Sequence, residues 1–450
     1  MQDRLGWIGI VRLGLVQTAL GAIVVLTTST MNRVMVVELA LPAVLPGALV
    51  AFHYVLQFLR PRWGYGSDIG GRRTPWILGG MITLALGGAG AAIATAWMTT
   101  NVAAGIALAI VSFAAIGAGV GAAGTTLLAF LATRVGEDRR GAAATIVWLM
   151  MIAGFVVTTI IAGHFLDPFS PERLVAVTSA VSAIAVLVTV IALWRMEDDA
   201  AGQAAIEARK HIEKPPFRQA LSEVWSEPQA RRFTIFVFIS MLAYSMQDLI
   251  LEPFAGIVFG MTPGESTKLA GVQHGGVFSG MILVALAGSA GLGIGSLRSW
   301  TIAGCLASAM ALLTLVASGT GGPDWPLRAT VFALGLANGA FAVSAIGSMM
   351  QLAGSGAKSR EGVRMGMWGA AQAVAFGSGG FLGAVGVDVI RQFVDQPVTA
   401  YTTVFFIEAV LFVVAAGLAA KAIAPDKKSA RSDAQLENTS LAKFQRGSVS

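Results

Sequence analysis

Charged side chains and cysteine are what this sequence has least of. Asp, Glu, Lys and Arg make up 12% of its 450 residues, about half the share of an average soluble domain, which excludes an ordinary water-soluble globule. The basic residues are dispersed over many short segments with no aromatic-rich platform among them, which excludes a nucleic-acid-binding surface. The single cysteine, Cys305, lies in an apolar run and excludes an intrachain disulfide. Only four histidines accompany it, and no Cys/His set has the spacing of metal ligands. With no P-loop and no nucleophile beside a suitable base, the sequence predicts a protein that is not an enzyme.

What is present in excess is apolar surface. Hydrophobic residues form 55% of the chain and the mean hydropathy is +0.71. The expected fold class is therefore all-α: a polytopic membrane protein with 12 transmembrane helices in two pseudo-symmetric six-helix bundles. A bilayer needs about 20 apolar residues in a helix, and runs near that length fall at 9–30, 43–59, 75–97, 102–133, 141–165, 172–194, 233–253, 267–290, 300–318, 327–352, 363–387 and 400–420. Residues 1–7 are too short and too charged for a cleavable signal, so the first run is expected to remain as a span.

An even number of spans puts both termini on one side, and the basic residues predict which. If the termini are cytoplasmic, the inner segments hold 26 of the 31 Lys and Arg and the outer segments 5, namely Arg33, Arg173, Lys268, Arg328 and Arg391. Basic residues are retained on the cytoplasmic side of a membrane, so an inner-membrane protein with both termini inside is expected, and the net charge of +6 follows from that topology.

The chain also repeats itself. Arg140 precedes Trp148, and Arg360 precedes Trp368, with the same spacing and 220 residues apart; His53 and His274 stand 221 apart. The domains expected are a first six-helix bundle at 1–194, a linker at 195–232, a second bundle at 233–420 and a disordered tail at 421–450. The linker holds seven acidic and seven basic residues around Pro215-Pro216. Phe217, Leu221, Val224 and Trp225 share one helical face there, which reads either as a short helix on the inner membrane surface or as a plain tether.

Between the second and third runs lies Gly64-Tyr65-Gly66-Ser67-Asp68-Ile69-Gly70-Gly71-Arg72-Arg73. Gly70-Gly71 allows a tight turn, and Asp68 can accept hydrogen bonds from arginines or helix-terminal amides. The pattern resembles the cytoplasmic loop between helices 2 and 3 of the major facilitator superfamily, where the loop latches two halves together. That resemblance implies a latch of Gly64, Asp68, Gly71, Arg72 and Arg73, with Arg364 the candidate partner of Asp68. The matching stretch of the second half, Gly291 to Arg298, has no acid, so only one of the two usual latches is expected.

Polar residues inside spans are costly, about 2.5–3.5 kcal/mol for a charge at a helix centre, and each needs a reason. Asp248 and Glu252 fall on one helical face near the outer end of the seventh run, at the height of Asn32, Arg33 and Glu38 in the first. A charge cluster is expected there, with Arg33 paired to Asp248 or Glu252, stapling the outer ends of the halves at headgroup level. The interiors of the first, fourth and tenth runs offer Gln17, Asn338 and hydroxyls, and so no obvious proton site. Glu408 is expected on the lipid side of the last span, protonated, snorkelling or meeting a partner. His53 and His274 read either as axial ligands to a chlorophyll magnesium or as hydrogen-bonded core residues. Trp148 and Trp368 read as stacking partners of a macrocycle or as packing between the halves.

Three blocks carry a more specific resemblance. Asn32-Arg33-Val34-Met35-Val36-Val37-Glu38-Leu39, Arg60-Pro61-Arg62-Trp63-Gly64-Tyr65-Gly66-Ser67-Asp68 and Gln247-Asp248-Leu249-Ile250-Leu251-Glu252-Pro253-Phe254 resemble the PucC/LhaA family, described as a bacteriochlorophyll delivery branch of the major facilitators. The resemblance implies a light-harvesting assembly factor in a bacterial photosynthetic membrane, with bacteriochlorophyll as cofactor. Antenna polypeptides and pigment-synthesis or insertion machinery are the implied partners; in an assembly factor of that kind, His53, His274, Trp148 and Trp368 are the residues whose chemistry offers pigment contacts. The competing expectation is a secondary transporter exporting a small hydrophobic solute, with Asp248 and Glu252 as coupling residues.

Overall fold

The computed structural model describes residues 5–59, 72–135, 140–197, 222, 225–289, 294–322, 324–354 and 361–423. Among these every regular element is helical. In chain order they are α1 (Trp7–Glu38), α2 (Val44–Leu56), α3 (Thr74–Trp97), α4 (Val102–Arg134), α5 (Arg140–Phe165), α6 (Pro171–Leu193), α7 (Pro228–Phe259), α8 (Pro263–Ser289), α9 (Leu297–Gly321), α10 (Leu327–Gly354), α11 (Glu361–Ile390) and α12 (Pro397–Ala422). Eleven are long and apolar enough to cross a bilayer. The exception is α2, 13 residues long and continued by a 3-10 turn to Leu59, shorter than the run at 43–59 predicts. Phe217, Leu221 and Val224 of the expected linker helix and the tail from 424 on lie outside the described residues, while 421 and 422 end α12.

Local chemistry sets many of the ends. Asn101 and Ser170 each accept a hydrogen bond from a backbone amide of the first turn, opening α4 and α6, and Ser296 with Ser299 forms a capping box for α9. These side chains satisfy amides that a helix start leaves without partners. Proline occupies the first turn of α3, α6, α7 and α12, where its missing amide costs nothing.

α1 and α7 run further than expected, and both are irregular where they do so. α1 contains π-type turns at Leu26–Thr30 and Val34–Glu38. α7 is interrupted by a 3-10 turn at Gln247–Leu249, resumes at Leu251 and stops at Gly260, whose φ of 66° is the left-handed conformation glycine supplies at helix ends. Sequence alone ends these spans near positions 30 and 253, the first just before Asn32 and Arg33. α1 continues because Asn32 and Arg33 find partners inside the protein, and α7 continues through the apolar residues 254–259.

The duplication is written into the packing. α1 packs on α5 and α6, α2 on α4, and α3 on α4 and α6; α7 packs on α11 and α12, α8 on α10, and α9 on α10 and α12. Each pair in the first set becomes one in the second when six is added to both labels. The two sets meet where α5 lies against α8 and α2 against α11, an arrangement the same exchange leaves unchanged. One buried apolar cluster is drawn from residues 10–193 together with Leu249, the other from residues 230–422. Close approach of backbones is needed in both: a Cβ at Gly119 would fall 2.5 Å from Leu84 N, and one at Gly339, 220 residues on, 2.0 Å from Val277 O.

Candidate functional site

At the end of the bundle remote from the start of α1, residues of α1, α7 and α8 interlock. The Ser29 hydroxyl donates to Glu252 Oε1, Thr30 and Thr267 share a hydrogen bond of 2.9 Å, and Asn32 Nδ2 donates to Leu249 O at 2.7 Å. Arg33 is corrected relative to expectation. Its Nη1 pairs with Glu38 at 2.5 Å and its Nη2 donates to Met261 O at 2.5 Å, so neither Asp248 nor Glu252 is its ion-pair partner. The π-type turns bring Glu38 back to the guanidinium, and Gly256, lacking a side chain, leaves room beside it. Nor is this cluster exposed: Asn32 and Arg33 are each 1% exposed and Glu252 is 2% exposed.

Two further carboxylates at this end were missed by sequence reasoning. Asp388 of α11 accepts from the amides of Ala43 (3.1 Å) and Val44 (2.6 Å) and so caps α2. Asp167, after α5, accepts from the Thr262 hydroxyl at 2.7 Å and lies 3.4 Å from Lys268 Nζ at the start of α8. They stand 221 residues apart, the offset of His53 and His274, and that offset is the signal that could have found them. Each ties one set of six helices to the N-terminal end of the counterpart helix in the other.

The histidines lie on α2 and α8, the helices that form the two seams with α11 and α5. His53, on α2 against α11, is buried, with Nδ1 2.6 Å from Val50 O and its backbone pressed against Gly117. Tyr54 beside it stacks on Phe376 at 6.4 Å between centroids, and Tyr244 of α7 meets the same ring at 5.8 Å. His274, on α8 against α5, packs its ring 4.9 Å from Phe155, and its buried Nδ1 has no hydrogen-bond partner. A Cβ at the adjoining Gly275 would meet nothing within 4 Å.

The tryptophans part company. Trp368 is buried in the second set, edge-on to Phe233 at 4.9 Å with Nε1 3.4 Å from Ala230 O, whereas Trp148 is 40% exposed. The expected packing between halves is corrected, since the partners of Trp368 lie within its own set. Glu408 is likewise not on the lipid side. It is 0% exposed with both carboxyl oxygens unpartnered, because α12 turns this face toward α7 and α9.

Of the expected latch, Gly64, Asp68 and Gly71 lie outside the described residues. Arg364, 2% exposed, forms a two-pronged ion pair with Glu227 at 2.7 and 3.0 Å, a partner the sequence did not suggest. The Arg73 guanidinium donates to Ala129 O, and the amides of Arg73 and Thr74 bond Glu197 at 2.8–2.9 Å. Arg72 is exposed. Among the described residues no three His, Cys, Asp or Glu side chains converge as a metal-binding group.

Residues 30–426 match the family model described as PUCC protein. The chain belongs to that family. A relative in Rhodobacter capsulatus, "Bacteriochlorophyll synthase 44.5 kDa chain", is 53% identical over 93% of this chain and 96% of its own. "Protein PucC" of the same organism is 29% identical over 91% of each chain. In fold this PucC-family chain is similar to a D-xylose-proton symporter, with a TM-score of 0.71 at 14% identity over 93% of this chain and 98% of that one. The nucleoside transporter NupG gives 0.64 at 15% identity over 93% and 100%. The fold is thus that of the major facilitator transporters, and the protein is a multi-span membrane protein. One expectation is overturned here: a relative sharing half its residues carries the name of a chain of a synthase, which conflicts with the reading of this protein as not an enzyme.

Proposed function

We propose that this PucC-family protein handles bacteriochlorophyll in a bacterial photosynthetic membrane, receiving the pigment from the machinery that makes or inserts it and presenting it to light-harvesting antenna polypeptides. The ligand class comes from the relative whose name is that of a bacteriochlorophyll synthase chain. The observation that carries the reading in this chain is the unpartnered, buried Nδ1 of His274. Buried polar atoms are nearly always hydrogen-bonded, and a neutral imidazole nitrogen is a good ligand for a metal centre. His274 would hold the pigment's magnesium, Phe155 would pack against the ring, and the open space at Gly275 would admit it. His53 would stand on the opposite seam, with Tyr54 beside it. Trp148, exposed on α5, would offer a flat apolar contact. Buried Trp368 would set the shape of the second bundle.

In this reading the protein works as two six-helix units, 1–194 and 233–420, joined by 195–232 and followed by a tail at 421–450, with both termini cytoplasmic as the basic residues favour. Arg72, Arg73 and Arg364, with Gly64, Asp68 and Gly71, form the inner latch. Asn32, Arg33, Glu38, Asp248 and Glu252 close the outer end. A second reading, export of a small hydrophobic solute with Asp248 and Glu252 as coupling residues, is favoured by the burial of Glu252 inside a span.

Gentle solubilisation from bacteriochlorophyll-containing membranes separates the two. The expected result is bacteriochlorophyll, with or without antenna polypeptide, retained in stoichiometric amount and lost in His274→Leu. Pigment-free protein that drives proton-dependent solute flux in liposomes would overturn the proposal in favour of transport.

A further inference from the structure

The interlocked end of α1 and α7 holds more polar atoms than its hydrogen bonds use. Asn32 Oδ1, Gln247 Oε1 and Nε2, Glu252 Oε2 and Arg33 Nε are all buried and unpartnered. They come from four side chains on two touching helices, whose segments 26–38 and 247–259 are in contact and are joined by the bonds from Ser29 to Glu252 and from Asn32 to Leu249 O. Gln247 is 0% exposed. The donation from Asn32 Nδ2 to Leu249 O fixes the flip of that amide and turns Oδ1 away from the backbone. Gln247 presents an oxygen in either orientation.

The charges at this level do not balance either. Glu38 and Glu252 face one cation, Arg33, both of whose Nη atoms are committed to Glu38 and Met261 O. Among the described residues neither Asp248 nor Glu252 has an ion-pair partner. An uncompensated carboxylate in a low-dielectric interior is expensive unless a positive charge joins it. Helix breaks at this same depth, two π-type turns in α1 and a 3-10 turn in α7, are the kind that accompany ligand sites in membrane bundles.

From these buried, unpartnered oxygens on touching segments of α1 and α7 we infer a binding site for an alkali cation, sodium or potassium, formed by Glu252 Oε2, Asn32 Oδ1 and Gln247 Oε1 with the Ser29 hydroxyl beside them. Oxygen donors suit hard cations. One carboxylate among neutral amide and hydroxyl oxygens balances a single positive charge, whereas calcium and magnesium sites draw on more carboxylates and water. Bound there, the ion would join α1 to α7 and lock the outer end of the bundle. The site is separate from His274 and stands whether or not pigment binds.

The test uses the full chain in lipid nanodiscs. Its thermal unfolding is followed against increasing sodium or potassium chloride, with N-methylglucamine chloride holding ionic strength constant. The expected result is a saturable rise in unfolding temperature specific to the alkali ion, together with radiotracer binding of a single ion per chain. Glu252→Gln should raise the half-saturating concentration about 10-fold or more, the scale seen when a metal site loses a supporting group. Gln247→Met, which keeps volume and removes the amide, should act in the same direction if Glu252→Gln does not fold. Glu408→Gln, outside the cluster, should leave the response unchanged. Equal unfolding temperatures in N-methylglucamine, or an ion response untouched by Glu252→Gln and Gln247→Met, would overturn the site.

Discussion

The two sets of six helices place corresponding residues at corresponding points and then surround them differently. Trp148 and Trp368 both lie on the helix that contacts the first helix of its set, yet one is 40% and the other 1% exposed. Asp167 and Asp388 both reach the start of the counterpart helix across the seam, one through a hydroxyl and a lysine, the other through two backbone amides. His53 has its Nδ1 beside a carbonyl, while His274 does not. Duplication therefore fixes geometry and leaves chemistry free to diverge. Unpartnered buried polar atoms occur in both sets, on Gln17 and Asn32 in the first and on His274 and Glu408 in the second, and these four positions do not correspond.

The contrast can be broken most forcefully at the tryptophans. Trp368→Ala should cost about 3–5 kcal/mol, the usual penalty of a large cavity in a packed core, while Trp148→Ala should stay within about 0.5 kcal/mol; equilibrium unfolding in mixed detergent and lipid reads both. Equal losses would mean that Trp148 is buried by something in the native membrane.

At the aspartates, Asp388→Ala should cost about 1.5–3 kcal/mol because two amides lose a charged acceptor. Asp167→Ala, removing a partly exposed ion pair and a hydroxyl contact, should cost no more than about 1 kcal/mol. A reversed order would show that the α5–α8 seam, not the α2–α11 seam, is the tighter one.

The histidines should separate by kind of effect. His53→Leu is expected to lose about 1 kcal/mol with its hydrogen bond. His274→Leu should leave stability within about 0.5 kcal/mol and abolish pigment retention. Smallest of all, Glu408→Leu should be neutral or slightly stabilising in the same unfolding assay, since apolar replacement of an unpartnered buried acid removes a desolvation cost. A large loss there would reveal a partner for Glu408.

Composition and hydropathy were enough for the class of protein and the number of helices, because the bilayer constrains length and apolarity residue by residue, and sequence offsets such as His53 to His274 pointed to the repeat. They also carried the family, through the blocks around Arg33 and Glu252. What they could not carry was pairing. Arg33 chose Glu38 because two π-type turns changed the helical phase, and Arg364 met Glu227 because the start of α7 lies against α11. Nor could they give the facing of Glu408, which a rotation of α12 turned from lipid to core. Hydrophobicity is a property of each residue and can be read along the chain, whereas the partner of a charge depends on helix phase, tilt and the neighbouring helix, and these exist only after the bundle has packed.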